Sequence, residues 1–394
     1  MRDGWETVRV SDVATVVGGG TPKSGVETYW GGDVPWLTPK DLSQKPARYT
    51  SSGERSITEE GLKASGARLL PPGSVLLTSR APVGYVTVAS APIATNQGFK
   101  SLVLKDGQVP EFWYYLLGHS TEFLRAHSGG STFAELSGSA LKTLEFTIPP
   151  VLQQRRIVDL IGAVDDALDH LTEQGGACRA LYSRILGAYM GRREPLRPLS
   201  EALVISRVVE IVQPQRTYRI VGVMRSGAGF IDRGEVRGDQ IAYRKLWQVR
   251  TGQLVMRKLT AWEGPISVVD PEFDGAYVSN EFPVFQVDAD RLWPDLLRHM
   301  CRWPGLWNLM QQRLVGSVQR RKRLGPAQLL EIALPMDHLE DQLQQTELLD
   351  AVWEASEALT AASVAMRRFR SALLGCLLSG EHRIPEAYDQ LVGG

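Results

Sequence analysis

The chain repeats itself, and each copy ends in a long segment with an apolar residue at every third or fourth position. The stretches "GSTFAELSGSALKTLEFTIPP", from Gly130, and "GSVQRRKRLGPAQLLEIALPM", from Gly316, align without a gap. Two further pairs precede them in the same order: "PPGSVLLTSRAPVG" with "RTGQLVMRKLTAWEG", and "ATNQGF" with "VSNEFP". Three ordered matches indicate a tandem duplication, so we expect the chain to fold as two related parts.

The segments that close the two copies have the spacing of paired helices. Apolar residues recur at steps of four and three over 157–189 and again over 348–376, which is the period of helices that pack along a narrow seam. A helix lying on its own domain would also show a seam, but such helices average about 11–12 residues. Segments of about 35–40 residues would form helices of roughly 50–60 Å. We therefore predict that the two helices pair with each other in antiparallel fashion.

Gly175-Gly176 lies inside the first of these segments, and the apolar spacing continues across it. Each glycine costs about 1 kcal/mol relative to alanine in a helix interior. Because the register survives, we predict a kink or a close helix contact at this point and not a domain boundary.

The body of each copy consists of short β-prone stretches, such as "SVLLTS" and "QLVMRK", separated by turns rich in Gly, Pro and Asn. The predicted fold class is α+β, with two β-rich domains in tandem, separated by two long helices that form an antiparallel coiled coil. The predicted boundaries are 1–150 for the first domain, 151–194 for the first long helix, 195–335 for the second domain, 336–380 for the second long helix and 381–394 for a C-terminal tail.

Charge is unevenly distributed, although the chain has 44 basic and 44 acidic residues. Residues 195–335 hold 20 Lys and Arg against 14 Asp and Glu, an excess that favours a polyanionic partner. The cysteines form no C-x-x-C pair and the histidines no metal-binding pattern, so we expect reduced thiols and no metal site. No apolar run reaches the ~18 residues of a membrane span, and the N-terminus lacks a secretory signal. We therefore expect a cytoplasmic protein.

Two stretches resemble a known family. "GGTPKSGVETYWGGDVPWLTPKDL" resembles the opening of a target-recognition domain in the specificity subunits of type I restriction-modification systems. "GSTFAELSGSALKTLEFTIPPVLQQRRIVDLI" resembles the exit of that domain into the spacer helix of the family. The first half of the chain matches the pattern closely, whereas the second half lacks the Gly-Thr-Pro and Tyr-Trp elements near its start.

This resemblance implies a non-catalytic subunit that recognises double-stranded DNA. Each target-recognition domain would read one half of a split sequence, and the helix pair would set the gap between the halves. The implied partners are two DNA adenine-N6 methyltransferase subunits, which would carry S-adenosylmethionine, and in some complexes a translocating nuclease subunit. The chain itself would hold no cofactor.

The glycine-rich start of the first stretch raises the question of nucleotide binding. A phosphate-binding loop needs G-x-x-x-x-G-K-[ST], and a dinucleotide fold needs G-x-G-x-x-G in a βαβ unit; neither pattern follows Gly18. Two interpretations stay open. The loop is either a rigid structural turn set by its glycines and Pro22, or a DNA-facing loop in which Lys23 and Ser24 contact phosphates. Trp30 and Trp36 are expected to pack as anchors.

Candidates for DNA contact are basic and amide side chains at corresponding places in the two copies. Lys and Arg supply affinity through phosphates, whereas amides can read base edges. Solvated charged surfaces and hydrogen-bonded turns are the ordinary alternatives for such residues. The predicted DNA-binding residues are Lys23, Ser24, Lys40, Ser79, Arg80, Asn96, Gln97 and Lys100 in the first copy, and Arg257, Lys258, Trp262, Asn280, Arg320, Arg321, Lys322 and Arg323 in the second.

No catalytic residue is predicted. Adenine methyltransferases of the kind expected as a partner carry an Asn/Asp-Pro-Pro-Tyr/Phe motif, and "DPEF" at Asp270–Phe273 lacks the second proline. The alternatives to a DNA-recognition subunit are a DNA-free coiled-coil scaffold that binds peptides, and a self-contained enzyme with an unrecognised site.

Overall fold

The computed structural model describes residues 4–44, 47–129, 134–192, 195–206, 208–315 and 322–392. The chain divides into two compact units, Met1–His170 with Ser363–Gly394, and Leu171–Ala362. Each unit contains one β-rich domain and one part of each long helix, so the division runs through the helices and not at their ends.

The first unit contains the first β-rich domain and the start of the first long helix. Its strands are β1 (Glu6–Arg9), β2 (Ala14–Gly18), β3 (Trp30–Leu37), β4 (Tyr49–Thr50), β5 (Arg55–Ile57), β6 (Val75–Ser79), β7 (Val83–Ala89), β8 (Ala94–Thr95), β9 (Lys100–Leu104) and β10 (Glu145–Ile148). Its helices are α1 (Val10–Val13), α2 (Pro39–Gln44), α3 (Glu59–Lys63), α4 (Pro110–His119), α5 (Thr121–Ala126), α6 (Gly138–Thr143) and the start of α7 (Val151–Met190).

The first domain is built on a five-stranded sheet in the order β2-β9-β6-β7-β4, a three-stranded sheet β5-β3-β8, and the pair β1-β10. Every residue of β6 is buried, as expected of a central strand rich in Val and Leu with neighbours on both sides. The main core joins this sheet to α4, whose Phe112, Trp113 and Leu117 are fully buried.

The second unit contains the end of α7, the second β-rich domain and the start of the second long helix. Its strands are β11 (Leu196–Pro198), β12 (Leu203–Ile205), β13 (Val209–Ile211), β14 (Thr217–Val223), β15 (Phe230–Arg237), β16 (Lys245–Gln248), β17 (Leu254–Met256), β18 (Ile266–Val268), β19 (Tyr277–Val278), β20 (Val284–Val287) and β21 (Ala333–Pro335). Its helices are α8 (Pro294–Cys301), α9 (Pro304–Gln312), α10 (Pro326–Leu330) and the start of α11 (Leu339–Ser379).

The sheets confirm the duplication. A four-stranded sheet in the order β12-β20-β17-β18 repeats the order β2-β9-β6-β7 of the first domain. The antiparallel pair β11-β21 repeats β1-β10, and in both units this pair lies directly before a long helix. A five-stranded sheet, β13-β16-β19-β14-β15, completes the second domain.

The two long helices pair in antiparallel fashion, as the apolar spacing predicts. They span 40 residues in α7 and 41 in α11. In the first unit, Ile157 near the start of α7 shares a buried cluster with Leu377 near the end of α11. In the second unit, Leu186 near the end of α7 shares one with Leu349 near the start of α11. The early part of each helix therefore packs on the late part of the other.

The helix α7 continues through Gly175-Gly176 without a break. A Cβ on Gly175 would lie 3.7 Å from the Cβ of Leu359 in α11, so the glycine sits where the two helices of the second unit come close. This contact supports the prediction of a close helix approach at this point.

The residues after α11 fold onto the first unit. Ile384 is buried in its main core, and a short helix α12 (Tyr388–Val392) follows. Arg156 near the start of α7 donates to both carboxylate oxygens of Asp389, over 2.8 and 2.6 Å. The C-terminal segment is thus held to the exit helix of the first domain by apolar burial and a bidentate ion pair.

Among the helices that the structure describes, none combines the length and the apolar character that crossing a bilayer would require.

Candidate nucleic-acid interface

The glycine-rich loop after β2 lies against the backbone of β8. The amide of Gly20 donates to the carbonyl of Thr95 over 2.9 Å. A Cβ on Gly19 would lie 2.0 Å from the carbonyl oxygen of Asn96, and one on Gly20 would lie 2.3 Å from the amide nitrogen of Ala67. Only glycine fits at either position, so these two residues form a structural turn.

Beyond the glycines, the loop presents polar side chains to solvent. Lys23 and Ser24 are exposed, and the carbonyl of Lys23 accepts a bond from the indole nitrogen of Trp30 over 3.3 Å. Trp36 is buried and donates from its indole to the carbonyl of Gly20 over 2.9 Å. The two indole rings pack edge to face, 5.1 Å between centroids. Both tryptophans are packing anchors, as predicted, and hold the base of a turn whose tip is accessible.

Three predicted contact residues meet in one cleft although they are distant in the chain. Lys40, Arg80 and Asn96 line a cavity of ≈ 450 Å³ together with Thr38, Pro39, Ser43, Ala81 and Gly98. Lys40 lies in α2, which directly follows β3, and Arg80 and Asn96 lie in the loops that directly follow β6 and β8. The sheet topology therefore gathers polar loop residues at one edge of the first domain, the usual location of binding residues on a rigid scaffold.

Two residues of these loops have structural roles that the sequence did not reveal. Ser79 is fully buried, and its hydroxyl donates to the carbonyl of Gly98 over 3.1 Å. It is therefore withdrawn from the predicted DNA contacts, because its hydroxyl does not reach the surface. The side-chain oxygen of Asn96 accepts from the amide of Gly98 over 2.8 Å, which leaves its amide group as the part able to contact a base. Gln97 is exposed and accepts a bond from the hydroxyl of Thr21.

The basic side chains of this edge are paired with acids. The ammonium of Lys40 lies 3.0 Å from the carboxylate of Glu54. Arg80 and Lys100 both face Glu135, at 3.7 and 3.6 Å. We call this set the first-domain edge: Lys40, Glu54, Arg80, Asn96, Lys100 and Glu135.

The corresponding loop of the second domain, between β17 and β18, carries Arg257 and Lys258. The Nε of Arg257 donates to the carbonyl of Leu259 over 3.0 Å, and its Nη2 lies 3.2 Å from the carboxylate of Glu263. The ammonium of Lys258 donates to the carbonyl of Asn280 over 2.6 Å. Trp262 is half-buried in the short 3-10 turn Ala261–Glu263 of the same loop.

The structure describes the basic run "QRRKRL" from Lys322 onward, and Arg323 contacts this loop. Arg323 is exposed, pairs in a β-bridge with Leu259, and lies 3.6 Å from Glu281 through its guanidinium. Lys322 is half-buried. Arg320 and Arg321, which were also predicted to contact DNA, lie outside the described residues, so the prediction for them stays untested.

The loops after β6 and β17 share an unusual backbone conformation. Ala81 has a φ of 58° and Thr260 a φ of 57°, a left-handed conformation that costs non-glycine residues free energy and is often found in functional loops. Ala81 lies two residues after the end of β6, and Thr260 lies four residues after the end of β17. Each of the two loops therefore contains one left-handed non-glycine residue, at a slightly different distance from its strand.

One residue of the second domain that the sequence reasoning missed is Arg225. It lies in the turn between β14 and β15, and its Nε is 2.9 Å from the carboxylate of Glu263, which also pairs with Arg257. The signal was "RSGAG", a glycine-containing turn with one basic residue in the basic half of the chain. We call this set the second-domain edge: Arg225, Arg257, Lys258, Glu263, Asn280, Glu281 and Arg323.

Within the described ranges, no group of three or more His, Cys, Asp or Glu side chains is arranged to hold a metal ion. Cys178, Cys301 and Cys376 are free thiols. Burial raises the pKa of the Cys301 thiol to about 12, so this thiol is protonated at neutral pH.

Comparison with known proteins gives this geometry a family context. Residues 2–175 match the family model of the type I restriction modification DNA specificity domain. The specificity subunit of the type I restriction enzyme MjaIX of Methanocaldococcus jannaschii is 45% identical over 172 residues, which is 43% of this chain and 40% of that protein. The EcoR124I/EcoR124II specificity subunit of Escherichia coli is 28% identical over 177 residues, 43% of this chain and 42% of that protein. The matched region therefore spans about two fifths of the length of either relative.

Solved structures extend the likeness in fold to nearly the whole chain. The S subunit of a type I restriction-modification system from M. genitalium superposes with a TM-score of 0.60 over 95% of this chain and 96% of that chain, at 13% identity. The HsdS subunit from Thermoanaerobacter tengcongensis superposes with a TM-score of 0.51 over 96% and 98%, at 16% identity. Residues 2–175 thus match the type I restriction modification DNA specificity domain, and the chain has the fold of these solved specificity-subunit structures along nearly its whole length.

Proposed function

We propose that this chain is the DNA-recognition subunit of a type I restriction-modification complex, with each β-rich domain reading one half of a split sequence. The observation that carries the proposal is that both domains present polar and basic loops at the same place in a repeated sheet, after β6 and after β17. A duplicated frame with different side chains at its loops suits two sites of different sequence. The specificity domain family of residues 2–175 supports the same interpretation.

Catalysis belongs to partners in this proposal. Two DNA adenine-N6 methyltransferase subunits would bind S-adenosylmethionine and transfer the methyl group, and a restriction subunit would join in complexes that also cleave. The chain contributes sequence recognition and the long helix pair. Because such a complex acts on cellular DNA, we place the protein in the cytoplasm.

The test uses the full chain together with the methyltransferase subunit that it is proposed to bind. Adenine methylation in a host that carries both should mark one split sequence, and binding to a duplex of that sequence should weaken steeply as salt rises. The chain without the methyltransferase should methylate nothing. A host without a methylated split motif, or binding that does not respond to salt, would favour the DNA-free scaffold. Turnover by the chain alone would favour the self-contained enzyme.

A further inference from the structure

We propose that Arg225 reads a guanine in the half-site recognised by the second domain. This inference rests on the proposed function and goes beyond it by assigning one side chain to one base. Arginine pairs with guanine through two N–H groups that meet O6 and N7 in the major groove. An arginine suits this task when its fork is exposed, oriented by a fixed partner, and free of competing acceptors.

The fork of Arg225 is exposed and oriented. Its side chain is 72% exposed, and its Nε lies 2.9 Å from the carboxylate of Glu263, which is only 25% exposed. The contact with Glu263 is made through Nε. Among the described residues, neither terminal nitrogen of Arg225 has a hydrogen-bond partner. The neighbouring Arg257 differs, because Leu259, Thr260 and Glu263 occupy its guanidinium.

The backbone beneath Arg225 is held by the same loop that carries Glu263. The amide of Ser226 donates to the carbonyl of Glu263, and the amide of Gly227 donates to the carbonyl of Gly264, both over 2.8 Å. A Cβ on Gly227, whose φ is 63°, would lie 2.4 Å from the carbonyl oxygen of Cys301. The turn is therefore fixed both to the 263–264 loop and to the end of α8. Arg225 and its partner Glu263 move as one piece, which limits the entropy cost of binding.

The residue that precedes Arg225 in the chain is suited to a base edge. Met224 is 36% exposed, and an exposed apolar side chain can contact a thymine methyl group, whereas it makes no favourable polar contact with a phosphate. The rest of the second-domain edge supplies the cations for phosphates, Lys258 and Arg323 among them. This division of roles favours base reading by Arg225 over backbone contact.

The experiment compares methylated motifs of hosts that carry the full chain, or a variant of it, with its methyltransferase partner. Arg225→Gln should make one G·C pair in one half-site degenerate, a loss of roughly tenfold or more in discrimination, while the other half-site stays unchanged. Glu263→Gln should relax the same position less strongly, because the fork remains but loses its orientation. Arg225→Lys should also relax it, because an ammonium cannot form the fork.

Arg291→Gln is the matched control. Arg291 is 59% exposed and also forms an ion pair through Nε, with Asp288 at 3.4 Å. Unlike Arg225, its backbone carbonyl accepts a hydrogen bond from the side-chain amide of Gln342 near the start of α11. This variant should leave the motif intact. Thermal unfolding of each variant checks that the fold survives.

Two outcomes would overturn the inference while leaving the proposed function in place. One is an unchanged motif for Arg225→Gln. The other is a motif that keeps all its bases while affinity falls uniformly and the salt slope falls by about one, which would make Arg225 a phosphate-binding residue. A parent chain that directs no split motif would instead overturn the proposed function, and the assignment of Arg225 with it.

Discussion

The loop after β6 in the first domain and the loop after β17 in the second each contain one left-handed residue, but their basic side chains have different partners. Both pass through a left-handed residue, Ala81 and Thr260. In the first-domain edge, Lys40 faces a carboxylate of its own, and Arg80 and Lys100 share Glu135. The second-domain edge has four cations and two acids, against three cations and two acids in the first-domain edge, and the ammonium of Lys258 donates to the backbone carbonyl of Asn280.

The two domains therefore have the same sheet order but differ in how their charged side chains are paired. The sheet order repeats in the two domains, and each loop contains one left-handed residue, so these features are common to the two copies. The pairing of charges does not repeat, so it is where the two domains can differ in affinity and in sequence preference. Each cation of the first-domain edge faces a carboxylate, whereas the ammonium of Lys258 in the second-domain edge donates to a backbone carbonyl.

The largest effect is expected from disturbing the glycine turn that packs against β8 in the first domain. Gly19→Ala would place a methyl group 2.0 Å from the carbonyl oxygen of Asn96, and relieving that overlap should lower the free energy of unfolding of the first unit by about 2–3 kcal/mol. Urea denaturation with amide hydrogen exchange would measure the loss and assign it to the unit.

The matched control for this variant is its neighbour. A Cβ on Gly18 would meet nothing within 4 Å, so Gly18→Ala should change the stability by less than about 0.5 kcal/mol. Equal effects of the two substitutions would show that the close approach of Gly19 to Asn96 does not support the loop.

The sequence predicted the parts of the fold that depend on spacing along the chain. The duplication and the helix seam follow from residues that repeat at fixed intervals, such as Ile157 and Ile161, both fully buried. Cys178 and Leu171 continue that seam as half-buried residues. Periodicity of this kind survives folding because a helix has one period.

The parts that depend on distant contacts were not predictable in this way. Nothing in "LLTSRAPVG" distinguishes the buried hydroxyl of Ser79 from an exposed one, because its partner Gly98 comes from another strand end. Likewise, Arg225 became a candidate only when the fold brought it to Glu263. Three candidates chosen by type and position, Lys40, Arg80 and Asn96, meet in one cleft, but the contacts of the individual side chains needed the structure.

A second, intermediate effect tests the charge difference between the two edges. Replacing Lys258 and Arg323 with Ala should reduce the salt slope of DNA binding by about two, one for each cation that no longer neutralises a phosphate. In the first-domain edge, Glu135→Gln should act in the opposite direction, because it releases Arg80 and Lys100 from their shared carboxylate. Binding measured by fluorescence anisotropy from low to moderate salt gives both slopes.

The comparison would fail if the Lys258 and Arg323 variant kept the parental slope, or if Glu135→Gln weakened binding. The first result would mean that Lys258 and Arg323 of the second-domain edge do not face DNA, and the second that Arg80 and Lys100 of the first-domain edge do not. Lys63→Ala is a suitable control, because Lys63 is an exposed lysine on α3 that pairs with Glu59 within its own helix, and it should leave the slope unchanged.

The smallest expected effect concerns how each domain is tied to the long helices. In the first unit, the hydroxyl of Tyr115 donates to Asp165 of α7 over 2.8 Å, and Arg370 of α11 pairs with the same carboxylate. In the second unit, the corresponding position is held by His299. Its Nε2 lies 2.8 Å from Asp350 of α11, and its Nδ1 lies 2.8 Å from the hydroxyl of Tyr182 of α7.

These two anchors should respond differently to acid. Burial lowers the pKa of His299, and Arg302 and Arg298 act in the same direction against the opposing pull of Asp350. A histidine whose folded pKa lies below its unfolded value near 6.5 leaves stability intact above about pH 6.5 and lowers it as the pH falls below that value. The Tyr115 anchor does not titrate in this range, because burial and Asp165 raise the pKa of Tyr115 above its ordinary value of 10.0.

The measurement is amide hydrogen exchange of each unit at pH values on both sides of 6.5, corrected for the intrinsic exchange rate. The second unit should lose stability on acidification, and His299→Gln should remove most of that pH dependence. Tyr115→Phe should lower the stability of the first unit by about 1 kcal/mol, and by the same amount at each pH. If His299→Gln kept the full acid sensitivity, the loss would come from other groups, and the two anchors would differ in chemistry without differing in their response to pH.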